Sequence, residues 1–404
     1  MLRKSIFLWA WFISIQAQAF ANPALEIKVD ELSKLVHELQ RTVAIQQKEI
    51  DLLKEVPGFN AASPSSTPAS PGQPSSASRG RWNPDIGVIA DTMFKHDTPR
   101  SDSEGADRLS VRELELVMGS YVDPYSRLDV NIAFSDFEDV HLQEAYLTRF
   151  GLPLETTARI GRSKPKVGKA LLSHRDILDT TDYPLVIQRY FGDDGLNKTG
   201  VDLTKPLDLP LNSAHELTIG IIEGGNGEGG TVFGDSRRRP TAYSHLKNFW
   251  DITDATNFEL GASHMIGSQD ADSGFESNVL GADGTLIHFY GPDQRIKLQS
   301  ELFYLNQKES LEKNRFGSYG LLDVRFHKQW ATGLRFDYAQ LVDPLFVSPG
   351  GSATGYTGYI TFFQSEFARW RLQYTHVNAS AGKEDDQLMI QGIFAIGEHK
   401  HKLQ

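Results

Sequence analysis

The sequence predicts an all-β protein: a transmembrane antiparallel β-barrel of about 16 strands, preceded by a short α-helical coiled coil. Three observations support this prediction. Short segments in which apolar and polar residues alternate recur along most of the chain. An export signal stands at the N-terminus, and a heptad repeat follows it. Beyond that signal, no apolar run reaches the length of about 18 residues that a membrane-spanning helix needs.

Composition narrows the classes of protein. The 404 residues carry a formal net charge of -11 and are 40% hydrophobic, an ordinary value for a soluble protein. A membrane protein reaches such a value when it crosses the bilayer by strands, because alternation dilutes their apolar residues. The chain has no cysteine, which excludes disulfides and thiolate sites. The acidic balance argues against nucleic acid as a partner.

Residues 1–21 have the pattern of a signal peptide. Arg3 and Lys4 supply positive charge before a short apolar run, and two small-x-small cleavage sites follow that run. An anchoring helix is the alternative, but the apolar run is short for that role. No cysteine follows either cleavage site, so a lipid anchor is excluded. The sequence therefore predicts export past the inner membrane.

Residues 22–56 carry the heptad repeat of a periplasmic coiled coil. Apolar residues recur every seven positions in two sets, and charged residues lie between them. The sets are Val29, Val36, Val43 and Ile50, and Leu25, Leu32, Leu39, Gln46 and Leu53. The repeat indicates oligomerisation or a periplasmic spacer. An amphipathic helix packed on the same chain is the alternative.

Residues 57–80 form a linker rich in proline and serine. The segment has no apolar face, and such compositions give flexible to semi-extended chain. It sets a domain boundary, so the barrel is predicted to occupy residues 81–404.

The barrel prediction depends on period-two alternation. In the clearest strand, Leu128, Val130 and Ile132 share one face and charged or small residues share the other. The predicted strands are 84–95, 107–120, 124–136, 140–150, 155–163, 197–206, 213–223, 241–250, 255–267, 278–290, 294–306, 314–328, 331–342, 354–364, 367–379 and 386–397. Several connections are tight and others long, as in barrels with short turns on one side.

A soluble sandwich would also alternate, so further observations decide between the two folds. The strands follow one another too closely to leave helices that could cover a sheet. Aromatic residues lie near predicted strand ends, where a transmembrane barrel carries its interfacial girdle. These residues are Trp82, Tyr121, Trp250, Tyr290, Trp330 and Trp370. Together with the export signal, they favour a barrel whose apolar face meets lipid and whose polar face lines water.

Several short motifs carry a resemblance to a known family. They are Asn83-Pro84-Asp85-Ile86-Gly87-Val88-Ile89, Glu113-Leu114-Glu115-Leu116, Gln143-Glu144-Ala145-Tyr146-Leu147, Arg159-Ile160-Gly161-Arg162, and the set His174, Asp179, Asp182, Pro184-Leu185, Arg189 and Phe191-Gly192-Asp193-Asp194-Gly195. On these residues the chain resembles the porin O/P superfamily of phosphate-selective porin-like barrels. Within it, the chain looks like the branch described as zinc-regulated outer-membrane receptor-like proteins. The resemblance runs from about residue 80 to the end and implies a location in the bacterial outer membrane.

Two positions depart from the family pattern. That branch often has a second histidine two residues after the first, where this chain has Asp176. The chain also ends on Leu403 and Gln404, without the terminal aromatic residue that such barrels usually present for assembly.

Residues 164–196 are the candidate functional segment, because a connection of this length is usually functional. We expect it to fold into the lumen and constrict the pore, where charged side chains set ion selectivity. Its candidate residues are Lys164, Lys166, Lys169, His174, Arg175, Asp179, Asp182 and Arg189. The glycine-rich run 224–230 is instead predicted to be a mobile extracellular loop, since it lacks the residues of a phosphate-binding loop.

Four residues of the segment suggest a metal site. Nitrogen and oxygen ligands are offered by His174, Asp176, Asp179 and Asp182. The metal that this set suggests is zinc, and no other cofactor is predicted. A salt-bridged loop with helix-capping aspartates is the alternative and is favoured. His399 and His401 are predicted to lie in a solvated tail. No catalytic motif stands out, so the protein is predicted not to be an enzyme.

Alternation also predicts which charged residues face the pore. They are Glu113, Glu115, Arg127, Asp129, Lys297, Glu301, Asp323, Arg325, Arg335, Asp337 and Arg371. Their signs are mixed, which does not favour strict phosphate selectivity.

The function predicted from these features is passive diffusion of small solutes or ions through an outer-membrane porin. We expect contact with lipid and assembly into a homo-oligomer, with a trimer favoured. One alternative is a metal-linked uptake barrel, although a chain of this length cannot build the 22 strands of energy-coupled receptors. The other is a structural protein whose coiled coil reaches the peptidoglycan.

Overall fold

The computed structural model describes residues 84–98, 107–135, 139–209, 213–225, 232–233, 239–268, 276–308, 313–342, 351–380 and 383–397. The predicted signal peptide, coiled coil and linker lie outside the described residues, as do Trp82, His399 and His401. The chain divides into the units Met1–Pro74 and Ser75–Gln404, and every described residue belongs to the second. Within the described residues, no helix is both long and apolar enough to cross a bilayer.

Sixteen strands form one closed antiparallel barrel, in which the first strand pairs with the last. The strands are β1 (Asp85–Thr98), β2 (Arg108–Asp123), β3 (Ser126–Ser135), β4 (Asp139–Leu152), β5 (Thr156–Ser163), β6 (Lys198–Leu207), β7 (Ala214–Ile222), β8 (Thr241–Thr253), β9 (Thr256–Ser268), β10 (Glu276–Phe289), β11 (Arg295–Gln307), β12 (Asn314–His327), β13 (Trp330–Gln340), β14 (Ser352–Ser365), β15 (Ala368–Ala379) and β16 (Lys383–Gly397). Each predicted strand is present, with ends that differ by a few residues. The single closed sheet excludes the two-sheet sandwich.

The two faces of the barrel follow the alternation of the sequence. On β3, Leu128 points outward and is 44% exposed, whereas the neighbouring Asp129 is 4% exposed. The same inversion occurs on β11, where Leu298 is exposed and Glu301 is fully buried. Large apolar side chains on the outside and charged side chains on the inside are the arrangement of a barrel that sits in lipid.

The connections differ between the two ends of the barrel. Even-numbered strands lead into the next strand through short turns, such as residues 124–125 and 254–255, and we name this the short-turn end. The longest connections, 164–197 and 223–240, lie at the opposite, long-loop end. Described aromatic residues of the predicted girdle all lie at the short-turn end. They are Tyr121, Trp250, Tyr290, Trp330 and Trp370.

The hydrophobic core lies inside the barrel. Residues 164–196, which we name the lumen segment, include a short 3-10 turn (Arg175–Ile177) and the helix α1 (Leu185–Phe191). Apolar residues of this segment pack against inward-facing apolar residues of β7 to β14. The prediction of a polar, water-lined inner face is therefore wrong for the long-loop half of these strands. On the inside, these apolar side chains are covered by the lumen segment.

Candidate functional site

The helix α1 fixes the lumen segment on one side of the barrel. Its residues Leu185, Val186, Ile187, Tyr190 and Phe191 are all buried. Phe191 meets Phe303 of β11 edge to face at 5.4 Å between ring centroids. The backbone N–H of Leu185 donates to Asp337 Oδ1 of β13 at 3.1 Å, which satisfies one N–H at the start of the helix.

Glu301 of β11 anchors the first part of the lumen segment. It accepts the backbone N–H of Lys169 at 2.8 Å and that of Ala170 at 2.6 Å. Tyr319 of β12 donates its hydroxyl to the same carboxylate at 2.5 Å. Gly168 has φ +62, and a Cβ there would lie 2.2 Å from Glu301 Oε2, so this approach requires glycine. Glu301 faces inward as predicted, but its oxygens are occupied by the segment.

Arginines of β13 and β15 bind backbone carbonyls of the segment. Arg335 donates to the Asp182 carbonyl at 2.8 Å and pairs with Asp337 at 2.7 Å. Arg371 donates to the Leu178 carbonyl at 2.9 Å. These contacts give both buried guanidinium groups hydrogen-bond partners, a carbonyl and a carboxylate for Arg335 and a carbonyl for Arg371. The predicted inward residues Arg335, Asp337 and Arg371 therefore hold the segment.

Asp179 forms a partly buried ion pair with Lys297 of β11. Burial works against ionisation of the Asp179 carboxyl, but Lys297, Arg295 and Arg371 outweigh burial and lower its pKa. The carboxylate is thereby held ionised, and the pair ties the middle of the segment to β11.

A second set of contacts joins the segment to the opposite wall. Arg112 of β2 donates to the Thr181 carbonyl at 3.0 Å and to Asp182 Oδ1 at 2.9 Å. Its Nε donates to Asp91 Oδ2 of β1 at 3.0 Å. Arg112 stands at a β-bulge, where the pairing with β1 passes from Glu113 to Val111. Bulges re-aim side chains, and this one directs Arg112 inward.

His174 joins the segment to β4. Its Nε2 lies 3.2 Å from Glu144 Oε2, and the same carboxylate accepts the backbone N–H of Lys164 at 3.2 Å. Burial disfavours the charged imidazolium, but the hydrogen bond to Glu144 outweighs burial and raises the pKa of His174. The Lys164 ammonium donates to the Tyr183 hydroxyl at 2.9 Å.

A second bulge lies beside this contact. Gln143 of β4 stands where the pairing with β3 passes from Glu144 to Leu142. Its carbonyl oxygen accepts from Asn131 at 3.2 Å, and its amide donates to Glu113. Asn131 also donates to Glu115 Oε2 at 2.6 Å. The predicted inward residues Glu113 and Glu115 are therefore buried in a network of side chains on β2 to β4.

The other predicted residues of the segment have separate partners. Arg175 donates to the Asp193 carbonyl at 3.1 Å. Lys166 donates to Thr204 at 2.8 Å, and its pKa is lowered by burial. Lys169 pairs with Glu259 at 2.6 Å. Arg189 is exposed on α1.

Two further predicted residues lie toward the short-turn end. Arg127 pairs with Asp129 at 3.0 Å. Arg325 lies over the Phe363 ring at 4.5 Å. Neither touches the lumen segment through a hydrogen bond shown in the described residues.

The predicted metal set does not assemble. Asp179 binds Lys297, Asp182 binds Arg112, and His174 binds Glu144. The carboxyl of Asp176 is buried with no hydrogen-bond partner. Within the described parts of the chain, no group of three His, Asp or Glu side chains could hold a metal ion. The described residues therefore give the metal hypothesis no support, because His174, Asp179 and Asp182 pair with three different strands.

Sequence reasoning missed several residues that hold the segment. Arg369 shares the alternation that identified Arg371, so extending the pattern by one step would have found it. Gln373, which accepts the Thr181 N–H at 2.8 Å, follows the same pattern. Arg112 breaks the alternation, and no local signal marks its bulge. Beyond the glycine-rich run, Val232 and Phe233 are fully buried in the core, and Ser277 donates to the Val232 carbonyl at 2.7 Å.

Comparison with known proteins places the fold. The sequence matches no protein-family model and no curated protein. Among solved structures, an anion-selective porin from Comamonas acidovorans is similar, with a TM-score of 0.54 and 11% identity over 78% of this chain and 99% of that one. The trimer form of Vibrio cholerae OmpT gives 0.51 and 9% identity over 78% and 99%.

The outer-membrane channel DcaP of Acinetobacter baumannii is also similar, with a TM-score of 0.50 and 12% identity over 78% of this chain and 96% of that one. At this level of identity the similarity shows a shared barrel fold. The zinc-regulated branch and the porin O/P assignment stay predictions.

Proposed function

We propose that the protein is a porin-type channel of the bacterial outer membrane, through which small solutes or ions diffuse passively. The lumen segment narrows the pore. The observation that carries the proposal is the path of this segment, which lies inside a closed 16-strand barrel and is hydrogen-bonded to strands from β2 to β15. The solved barrels with this fold include proteins described as an anion-selective porin and an outer-membrane channel.

The charges of the lumen support passage of ions with a preference set by the wall they follow. The inward acids Asp91, Glu113, Glu115, Asp129 and Glu144 lie on β1 to β4. The inward cations Arg295, Lys297, Arg325, Arg335, Arg369 and Arg371 lie on β11 to β15. Each wall also carries the opposite sign, with Arg112 on β2 and with Glu301 and Asp337 on β11 and β13, so a passing ion meets both signs on either side. The mixed signs favour a general pore over one selective for phosphate alone.

The outer surface supports contact with lipid and with further copies of the chain. Outward residues such as Leu280, Leu334 and Ile219 are half-exposed or more, which suits a hydrocarbon environment. We propose a homo-oligomer, with a trimer favoured, because a barrel of the same fold is described as a trimer. The predicted coiled coil would stand in the periplasm as an oligomerisation element or as a contact with peptidoglycan. Metal-linked uptake gains no support from the described residues.

The test is single-channel conductance of the refolded protein in a planar bilayer, with reversal potentials in a salt gradient. We expect discrete conductance steps and a definite ion preference. Zinc should leave the steps unchanged, because His174, Asp179 and Asp182 each pair with a different strand and no three candidate ligands meet in the described residues. Correctly folded, membrane-inserted barrels that conduct nothing would overturn the proposal. Deleting residues 22–80 distinguishes the channel function from a structural role. Loss of envelope integrity with unchanged conductance would favour a protein that tethers the outer membrane to the peptidoglycan.

A further inference from the structure

The lumen segment is attached to the barrel in two different ways. Within the described residues, the buried apolar wall residues that pack on the segment lie between β7 and β14, and none lies on β1 to β6. Toward β2 and β4 the segment is held by polar contacts, through Arg112 and Glu144. We name these polar contacts the seam. The attachment on β7 to β14 we name the docked side.

The two attachments differ in whether water can replace the interactions that are lost when the segment separates from the wall. Apolar surface on the docked side gains free energy only while it stays out of water. A hydrogen bond or a partly exposed ion pair contributes little net free energy, because water offers the same groups a partner. The Asp182 side chain is one-third exposed, so the Arg112–Asp182 pair is of this kind. The seam is therefore the side on which the segment can part from the wall.

The barrel is shaped to hold the seam closed. Arg112 reaches the segment only because a bulge turns it inward, and Asp91 fixes its Nε on the wall side. One guanidinium thus bridges the wall and two groups of the segment, the Thr181 carbonyl and Asp182. Such a forked donor fits two acceptors at once. The contact is a latch at residues 181–182.

A second residue works against the latch. Asp176 is 1% exposed, and neither carboxyl oxygen has a hydrogen-bond partner in the described residues. It interacts electrostatically with Glu115 on β2, an acid of the same sign. Arg369 of β15 attracts the Asp176 carboxylate electrostatically, but its hydrogen bond goes to the Asp176 backbone carbonyl. A buried carboxyl without a partner costs free energy that water would relieve, so the closed seam is stressed at this point.

We propose that the channel opens along the seam: residues 173–182 part from Arg112 and Glu144, while α1 stays on the docked side. The hydrogen bonds of Leu178, Thr181 and Asp182 to β13 and β15 are kept in this movement. The Arg112–Asp182 latch holds the closed state, and Asp176 favours the open one. The permeation path then follows the wall of β1 to β4. This inference rests on the proposed channel function and adds where the pore opens and which residues set the equilibrium.

The experiment compares open probability in single-channel records of the wild type and three variants. D182N removes the charge of Asp182 and leaves the hydrogen bond to the Thr181 carbonyl and the Arg112–Asp91 pair in place. The ratio of open to closed time should therefore rise by up to about fivefold. D176N places a neutral amide in the same buried site, so the ratio should fall at least about threefold. Misfolding cannot explain shifts in opposite directions.

The matched control is K169Q, which removes an ion pair between the segment and β9 on the docked side. It should change the ratio far less than D182N does. Equal ratios in the wild type, D182N and D176N, or a shift of both in one direction, would overturn this inference and leave the channel function standing. If neither the wild type nor any variant conducts when the barrels are folded and inserted, the channel function is overturned, and this inference with it.

Discussion

The two walls of the barrel solve the same problem with different chemistry. On β7 to β14 the lumen segment packs against apolar side chains such as Phe303, and buried polar contacts from Glu301 and Asp337 lie beside this packing. On β2 and β4 it is held by Arg112 and Glu144. The difference teaches that one segment can be fixed and releasable at once. The docked side fixes the position of the segment. In the proposed opening, the seam determines whether the segment blocks the pore.

The largest effect is expected from F303A on the docked side. Phe303 is 1% exposed and packs on Phe191, so its removal leaves a cavity. We expect the free energy of unfolding to fall by about 3–5 kcal/mol, measured by urea titration in lipid vesicles. The control is F336A, which removes an outward ring that is 46% exposed. A loss in F303A no larger than in F336A would show that the docked side contributes little.

The next effect is expected from two glycines of one strand. A Cβ at Gly317 of β12 would lie 2.4 Å from Val186 Cγ2 of α1, whereas a Cβ at Gly320 meets nothing within 4 Å. G317A should therefore lower the free energy of unfolding by about 1–3 kcal/mol through overpacking. G320A should be neutral or slightly stabilising, since alanine loses less backbone entropy than glycine. Equal stabilities of G317A and G320A would mean that α1 yields easily, which would contradict a fixed docked side.

The barrel strands are predictable from the sequence because their rule is local. Period-two alternation places Leu128 outside and Asp129 inside without knowledge of any distant residue. The docked side also has a local signal, which the sequence analysis did not use. Residues 302–305 are Leu-Phe-Tyr-Leu, a continuous apolar run, and such a run indicates a strand buried on both faces. It could have predicted that this stretch faces packed protein as well as lipid.

The path of the lumen segment has no such local rule. Ala170 meets Glu301 across 131 positions of the chain, and Thr181 meets Gln373 across 192. The length of the segment predicts that it is functional, and its charges predict that it forms ion pairs. Which residues it pairs with depends on the strands that the closed barrel brings next to it. The bulge at Arg112 depends on register with β1 and cannot be seen in β2 alone. This is why the metal hypothesis joined residues that the structure separates.

A smaller, pH-dependent effect is expected at the seam. The pKa of His174 is raised above its ordinary value of about 6.5 by the contact with Glu144. Below about pH 6.5 the imidazole is charged whether or not the contact is made, so the contact then stabilises the closed state fully. That contribution fades as the pH rises through the pKa in the folded protein. Lys164 and Glu115 also act on the imidazole, so the comparison must keep them in place.

We therefore expect the open probability of the wild type to rise as the pH increases above about 6.5, and the rise to be flattened in H174Q. Single-channel records at matched ionic strength would measure it. An identical pH profile in H174Q would assign the dependence to the surrounding carboxyl groups and remove His174 from the seam.

The smallest effect is expected where a charge pair lies on the docked side. Lys169 pairs with Glu259 at 2.6 Å, but its side chain is one-third exposed and its backbone N–H is held separately by Glu301. Because the pair reaches water and the apolar packing remains, K169Q should lower the free energy of unfolding by less than about 1 kcal/mol. Urea titration beside F303A gives the comparison under one set of conditions. A loss in K169Q as large as in F303A would mean that a partly exposed ion pair contributes as much to the docked side as its apolar packing does. The distinction between a fixed side and a releasable side would then fail.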